Sequence, residues 1–145
     1  MIADGGVYIV SETFGNRLSA FDVQADGSLA NRRVWASFGE LPSTSDLTAA
    51  LGQLAVAPDG CGLDAEGAIW VADALNGRVL RIREGGEVLE ELPVGTGVIA
   101  CMLGGDDGRT LFMCAAPDFD RAARSAAREA EPRAVRVEVP HAGRP

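Results

Sequence analysis

The sequence predicts an all-β chain built from small antiparallel sheets, and three observations lead there. Eighteen of the 145 residues are glycine, a density that goes with many tight turns and therefore many short strands. Apolar tetrads recur at Val7-Tyr8-Ile9-Val10, Ile69-Trp70-Val71-Ala72 and Leu111-Phe112-Met113-Cys114, each with the composition of a strand buried on both faces. The surroundings of the first two tetrads align without a gap when Ala3 is placed over Asp64. Glu12 then falls on Asp73, Gly15-Asn16 on Asn76-Gly77, Arg17 on Arg78, Leu18 on Val79 and Phe21 on Ile82. A third copy starts at Cys101-Met102-Leu103 and turns at Gly105-Asp106-Asp107-Gly108. Internal repetition of this kind marks a modular architecture.

Taken in order, each copy reads as a meander of up to four strands. Asp26-Gly27, Asn76-Gly77 and Glu84-Gly85-Gly86 supply hairpin residues that tolerate positive φ. The strands after the tetrads alternate, with arginines on one face of Leu80-Arg81-Ile82-Arg83 and valines on one face of Val135-Arg136-Val137-Glu138-Val139, which predicts half-solvated outer strands. An inner, doubly covered strand followed by an outer one describes a propeller blade. Blade A is expected over residues 1–40, lacking its innermost strand, blade B over 57–95, blade C over 96–140, with a tail over 141–145. Two helical insertions are expected. In residues 43–56, Leu47, Leu51 and Leu54 share one helical face with Ser43 or Ser45 as cap. Residues 118–131, rich in Ala, Arg and Glu, should form a surface helix that stops at Pro132.

Composition excludes several functions. Twenty-one acidic against thirteen basic residues give a net charge of −8, without the clustered Lys and Arg that phosphate binding needs, so no nucleic-acid partner is expected. No run of about 18 apolar residues is present to span a membrane as a helix. The start carries no basic region followed by an apolar core, so a cytoplasmic location is expected. Cys61, Cys101 and Cys114 lack metal-site spacing and read as reduced core residues. His141, the one histidine, lies in the tail, which leaves no basis for a nucleophilic triad. Glu12 and Asp73 repeat at equivalent places and read as structural; Arg17 and Arg78 repeat likewise and read as forming hydrogen bonds or ion pairs within the blades. Asp106 and Asp107 read as turn residues, and Trp35 and Trp70 as packing.

Several blocks resemble the senescence marker protein (regucalcin), gluconolactonase and luciferin-regenerating enzyme family of six-bladed propellers. They are Ser11-Glu12-Thr13-Phe14-Gly15-Asn16-Arg17-Leu18 with Ala20-Phe21-Asp22-Val23, Asp26-Gly27-Ser28-Leu29, and Asn31-Arg32-Arg33-Val34. The fullest is Ala57-Pro58-Asp59-Gly60-Cys61-Gly62-Leu63-Asp64-Ala65-Glu66-Gly67 with Ile69-Trp70-Val71-Ala72-Asp73 and Gly77-Arg78-Val79. Cys101-Met102-Leu103-Gly104-Gly105 and Leu111-Phe112-Met113-Cys114 look like the family's last blade. The resemblance implies about three blades from the C-terminal half of a six-bladed ring, and a metal-dependent hydrolase of sugar lactones or related esters. The implied metal is divalent, calcium first, with zinc or manganese as alternatives.

By the same resemblance, Asp59 of Pro58-Asp59-Gly60 is both metal ligand and general base; no separate cofactor-binding residue is implied. Proline presets φ before the carboxylate, and Gly60 permits a sharp entry into the innermost strand, so the carboxylate can be aimed into an axial channel. Taken alone, Pro-Asp-Gly is equally a common turn tripeptide. The family's other ligands, a Glu of the first blade and two Asn of earlier strands, have no counterpart in a matching context, so the isolated chain is expected to be inactive. The competing readings are a non-catalytic propeller module that binds a ligand or partner, and an inactive truncated fragment. Open blade edges suggest self-association.

Overall fold

The apolar tetrads become the second strands of three consecutive antiparallel sheets. The structure, a computed structural model, describes residues 2–3, 6–118 and 120–143, without the side chains of Ile2, Ala3 and Arg121. The repeat's first turn at Asp4-Gly5, the initial Met1 and the last two residues of the tail lie outside that range. The first sheet contains β1 (Ile2–Ala3), β2 (Val7–Glu12), β3 (Arg17–Val23) and β4 (Leu29–Ser37) in that order. The second contains β5 (Pro58–Leu63), β6 (Ile69–Asp73), β7 (Arg78–Ile82) and β8 (Val88–Pro93). The third has three strands, β9 (Val98–Gly104), β10 (Thr110–Ala115) and β11 (Glu131–Arg136).

The repeat is reproduced to the residue. Tyr8 pairs with Phe21 as Ile69 pairs with Ile82, and Glu12 pairs with Arg17 as Asp73 pairs with Arg78. At the intervening turns, Asn16 (φ 52°) and Gly77 (φ 62°) hold the same left-handed conformation. The innermost position of the first sheet is held by β1, two residues long, paired to Val7 and Tyr8.

The sheets pack face to face in chain order. Ile9, Leu18, Ala20, Trp35 and Ala36 of the first cover Ile69, Val71, Leu80 and Ile82 of the second. The opposite face of the second sheet, with Trp70, Ala72 and Val79, packs on Cys101, Leu103, Leu111 and Met113 of the third. Alternation along each strand therefore sends odd and even residues to different neighbours, which is why β6 is apolar from Ile69 to Ala72 and every one of its residues, the closing Asp73 included, is buried.

The same alternation corrects two expectations. β10 is buried on one face only: Leu111 and Met113 are covered by the second sheet, while Phe112 and Cys114, on the opposite face, are exposed. Cys114 is thus a surface thiol rather than a core residue, whereas Cys101 is buried and Cys61 half-buried. β7 is not half-solvated, because β8 covers its edge and Arg81 is drawn inward by an ion pair described below.

The insertions form two short helices. In α1 (Leu47–Leu51) the cap is Asp46, whose carboxylate accepts from the Ala49 N–H at 2.8 Å, rather than Ser43 or Ser45. The helix is shorter than the leucine spacing suggests, and Leu47 stays exposed. In α2 (Arg121–Ala127), capped by Asp120, the stop is Arg128 in the left-handed conformation, four residues before Pro132. Pro132 instead lies in β11, an edge strand, where its missing N–H costs nothing. The start of the tail is docked: Pro140 accepts from the Ala65 N–H, and the His141 and Ala142 N–H groups donate to Gly108 and Leu63.

Candidate functional site

Asp59 sits at the start of β5, the innermost strand of the middle sheet. Pro58 pairs with Asp73 and Cys61 with Val71, so Asp59 and Gly60 together stand opposite Ala72 in a bulge. Two contacts from neighbouring sheets define its surroundings. The Thr13 hydroxyl, just beyond β2, donates to the Pro58 carbonyl at 2.9 Å. On the other side β9 comes so close that a Cβ added to Gly60 would lie 2.6 Å from Ala100 Cα. The bulge is therefore wedged between the first and third sheets, and only glycine fits after Asp59.

The Asp59 side chain is half-buried and takes no hydrogen bond or ion pair from any described residue. Burial pushes its carboxyl above the usual carboxylate range, with nothing nearby to offset the effect. The other inward carboxylates are partnered. Asp73 is fully buried and accepts from the Ala57 N–H, the Asn76 amide and Arg78 Nε at 2.9 Å. Glu12 bonds Arg17, Arg32 and Ser19; although burial opposes it, these partners hold its pKa down at about 2. Both are structural ion pairs at the ends of equivalent hairpins, as the repeat suggests.

A third buried pair is one that motif reasoning passed over. Asp64 is 1% exposed, accepts from the Glu66 and Ala68 N–H groups, and meets Arg81 Nε at 2.6 Å. Arg81 also reaches Glu66 at 2.7 Å. Burial works against the guanidinium charge, but these carboxylates raise its pKa on balance. The sequence held a signal for the pair. In the first copy the aligned positions are Ala3 and Ala20, so both partners change together between copies.

The best-defined cleft, about 280 Å³, does not contain Asp59. It opens between the first and second sheets at their other end, beside Trp35, Leu63 and Asp64. Among the described residues no three or more His, Cys, Asp or Glu side chains gather where a metal ion could be held. A calcium ion collects about six to eight oxygens. Asp59 has the right chemistry for one of them, an anionic oxygen without a protein partner, but the residues present do not by themselves fit a calcium site.

Residues 2–117 match the SMP-30/gluconolactonase/LRE-like family. The chain belongs to that family. Solved structures resembling this family member include a luciferin-regenerating enzyme, at 19% identity and a TM-score of 0.69 over 94% of this chain. Another is the calcium-binding protein regucalcin from Agrobacterium tumefaciens strain C58, at 24% identity and a TM-score of 0.68 over 95% of this chain. The matched stretch spans only 43% and 44% of those two chains, so the family member described here corresponds to less than half of either.

Proposed function

We propose that this chain is part of a gluconolactonase-like propeller and carries one residue of its reaction centre, Asp59. Hydrolysis of a sugar lactone or related ester then belongs to the assembly in which further inner strands complete the site. The observation that carries this reading is the contrast among carboxylates. Glu12, Asp64 and Asp73 are satisfied by arginines and backbone N–H groups, while Asp59 is half-buried at a desolvation cost and unpaired. A group held unpaired on the innermost strand is placed for something other than stability. The family resemblance supplies the candidate, a divalent cation, for which Asp59 would serve as ligand.

Carbon-detected NMR of the side-chain carboxyls during calcium, zinc and manganese titrations tests the assignment. The expected result is weak binding that perturbs the Asp59 carboxyl first and vanishes in Asp59→Asn. Perturbation confined to other carboxyls would remove Asp59 from the site. Tight binding or lactone turnover by the chain alone would overturn the view that one copy lacks the remaining ligands.

A further inference from the structure

The bulge that carries Asp59 is repeated in the next sheet. In the second sheet Cys61 pairs with Val71 and Pro58 with Asp73, leaving Asp59 and Gly60 opposite Ala72. In the third, Cys101 pairs with Met113, Ala100 with Cys114 and Val98 with Ala115, which leaves Ile99 as the extra residue. Met113 is the counterpart of Val71 in the repeat and Cys101 that of Cys61, so Ile99 stands where Asp59 stands. A bulge re-aims the side chain it inserts. The same bulge at the same place in neighbouring sheets re-aims Asp59 and Ile99 alike.

The two bulges also lie against each other. A Cβ on Gly60 would fall 3.1 Å from the Ile99 carbonyl oxygen and 2.6 Å from Ala100 Cα. Ile99 is half-buried yet packs into none of the three apolar clusters, whereas Val98 and Cys101 of the same strand are buried within one of them. An aliphatic neighbour is the surrounding that leaves the Asp59 carboxylate short of water without offering it a hydrogen bond. The turn residue Phe14 adds apolar surface at the same end of the sheets. It is 54% exposed and follows Thr13, whose hydroxyl holds the Pro58 carbonyl.

We propose that Ile99 is a specificity-determining residue of the Asp59 site, an aliphatic wall beside the carboxylate that selects lactones or esters with an apolar chain next to the carbonyl. A polyhydroxylated ring set against Ile99 gives up water there and regains no hydrogen bond from that side chain. An alkyl substituent in the same place gains about fourfold in affinity for each methylene it buries. The proposal rests on Asp59 belonging to the reaction centre and narrows what that centre takes.

NMR of the full chain during titration with two five-membered lactones, α-hexyl-γ-butyrolactone and γ-gluconolactone, is the test. The hexyl lactone should shift the Ile99 methyl signals, and the sugar lactone at the same concentration should leave them in place. The methyls of Leu29 and Val88, each 48% exposed at the opposite end of the sheets, should respond to neither. Ile99→Thr keeps a β-branched side chain suited to a strand, and circular dichroism verifies that the variant is folded. It should weaken binding of the hexyl lactone about fourfold and shift the Asp59 carboxyl resonance while leaving that of Asp73 unchanged. Wild-type Ile99 methyls that ignore the hexyl lactone, or respond equally to both lactones, would overturn the proposal. So would shifts at Leu29 and Val88 as large as at Ile99, or an Asp59 carboxyl indifferent to Ile99→Thr. An Asp59 carboxyl that ignores divalent cations while the lactone selectivity stands removes the cation role of Asp59 and supports the wall at Ile99.

Discussion

Replacing Asp64 by alanine should be among the most damaging single changes in the chain. Its carboxylate, with 0% side-chain exposure, is the deeper of the two partners of Arg81, whose own side chain is 10% exposed. Removing it leaves a buried guanidinium held only by the exposed Glu66 and takes the acceptor away from the Glu66 and Ala68 N–H groups. Breaking a buried pair from one side costs about 3–5 kcal/mol. At about 3 °C per kcal/mol for a chain of this size, the loss in Tm is on the order of 10 °C. Asp64→Asn keeps an oxygen for the two N–H groups and should cost about 1–3 kcal/mol. The double variant Asp64→Ala/Arg81→Leu should regain part of the loss, since no unpaired charge is left behind. Urea unfolding of the wild type and the four variants, with Arg81→Leu completing the cycle, measures the coupling. A cost below about 1 kcal/mol for Asp64→Ala, or strict additivity in the double variant, would refute the buried-pair argument.

Three further outcomes follow from the same geometry. Gly60→Ala must push against Ala100 backbone 2.6 Å away; it should lower stability by about 1–3 kcal/mol in urea unfolding and shift the Asp59 carboxyl resonance. Trp70, fully buried with no partner for its indole N–H among the described residues, should cost about 3–5 kcal/mol when cut to alanine, whereas Trp70→Phe should cost less than about 1.5 kcal/mol, as melting curves will show. For Asp59 the folded-state pKa is raised, so the folded chain holds its proton longer than the unfolded chain and stability falls as pH rises above about 3.8. Asp59→Asn should therefore be more stable than wild type at pH 7 and equal to it below that window; a destabilised Asp59→Asn at pH 7 would mean an unrecognised favourable partner.

The legible part of the site was its local chemistry. Pro58-Asp59-Gly60 marked a turn into an inner strand, and the alignment of Glu12 with Asp73 and Arg17 with Arg78 marked four structural residues, which the register then brought together as two pairs. The Asp64–Arg81 pair was less visible because its partners are 17 residues apart and depend on β6 lying between them. Which residue capped α1 was also beyond the composition, since Ser43, Ser45 and Asp46 all carry capping chemistry and only the chain path selects Asp46.

Period and repetition, properties of the chain alone, determined the number of sheets and the strand order within each. Burial could not be read the same way, because an apolar tetrad looks identical whether one or both of its faces find a neighbour. Val71 and Phe112 illustrate the difference: one is sealed between sheets, the other lies on the face of the third sheet turned away from the second and is 48% exposed. The tertiary structure alone decided that Asp59 stands without a partner among the described residues while the fully buried Asp64 and Asp73 are each paired with an arginine. That outcome depends on the close approach of β5 to β9 and on the arginines of β3 and β7, groups that sequence distance separates and packing brings together.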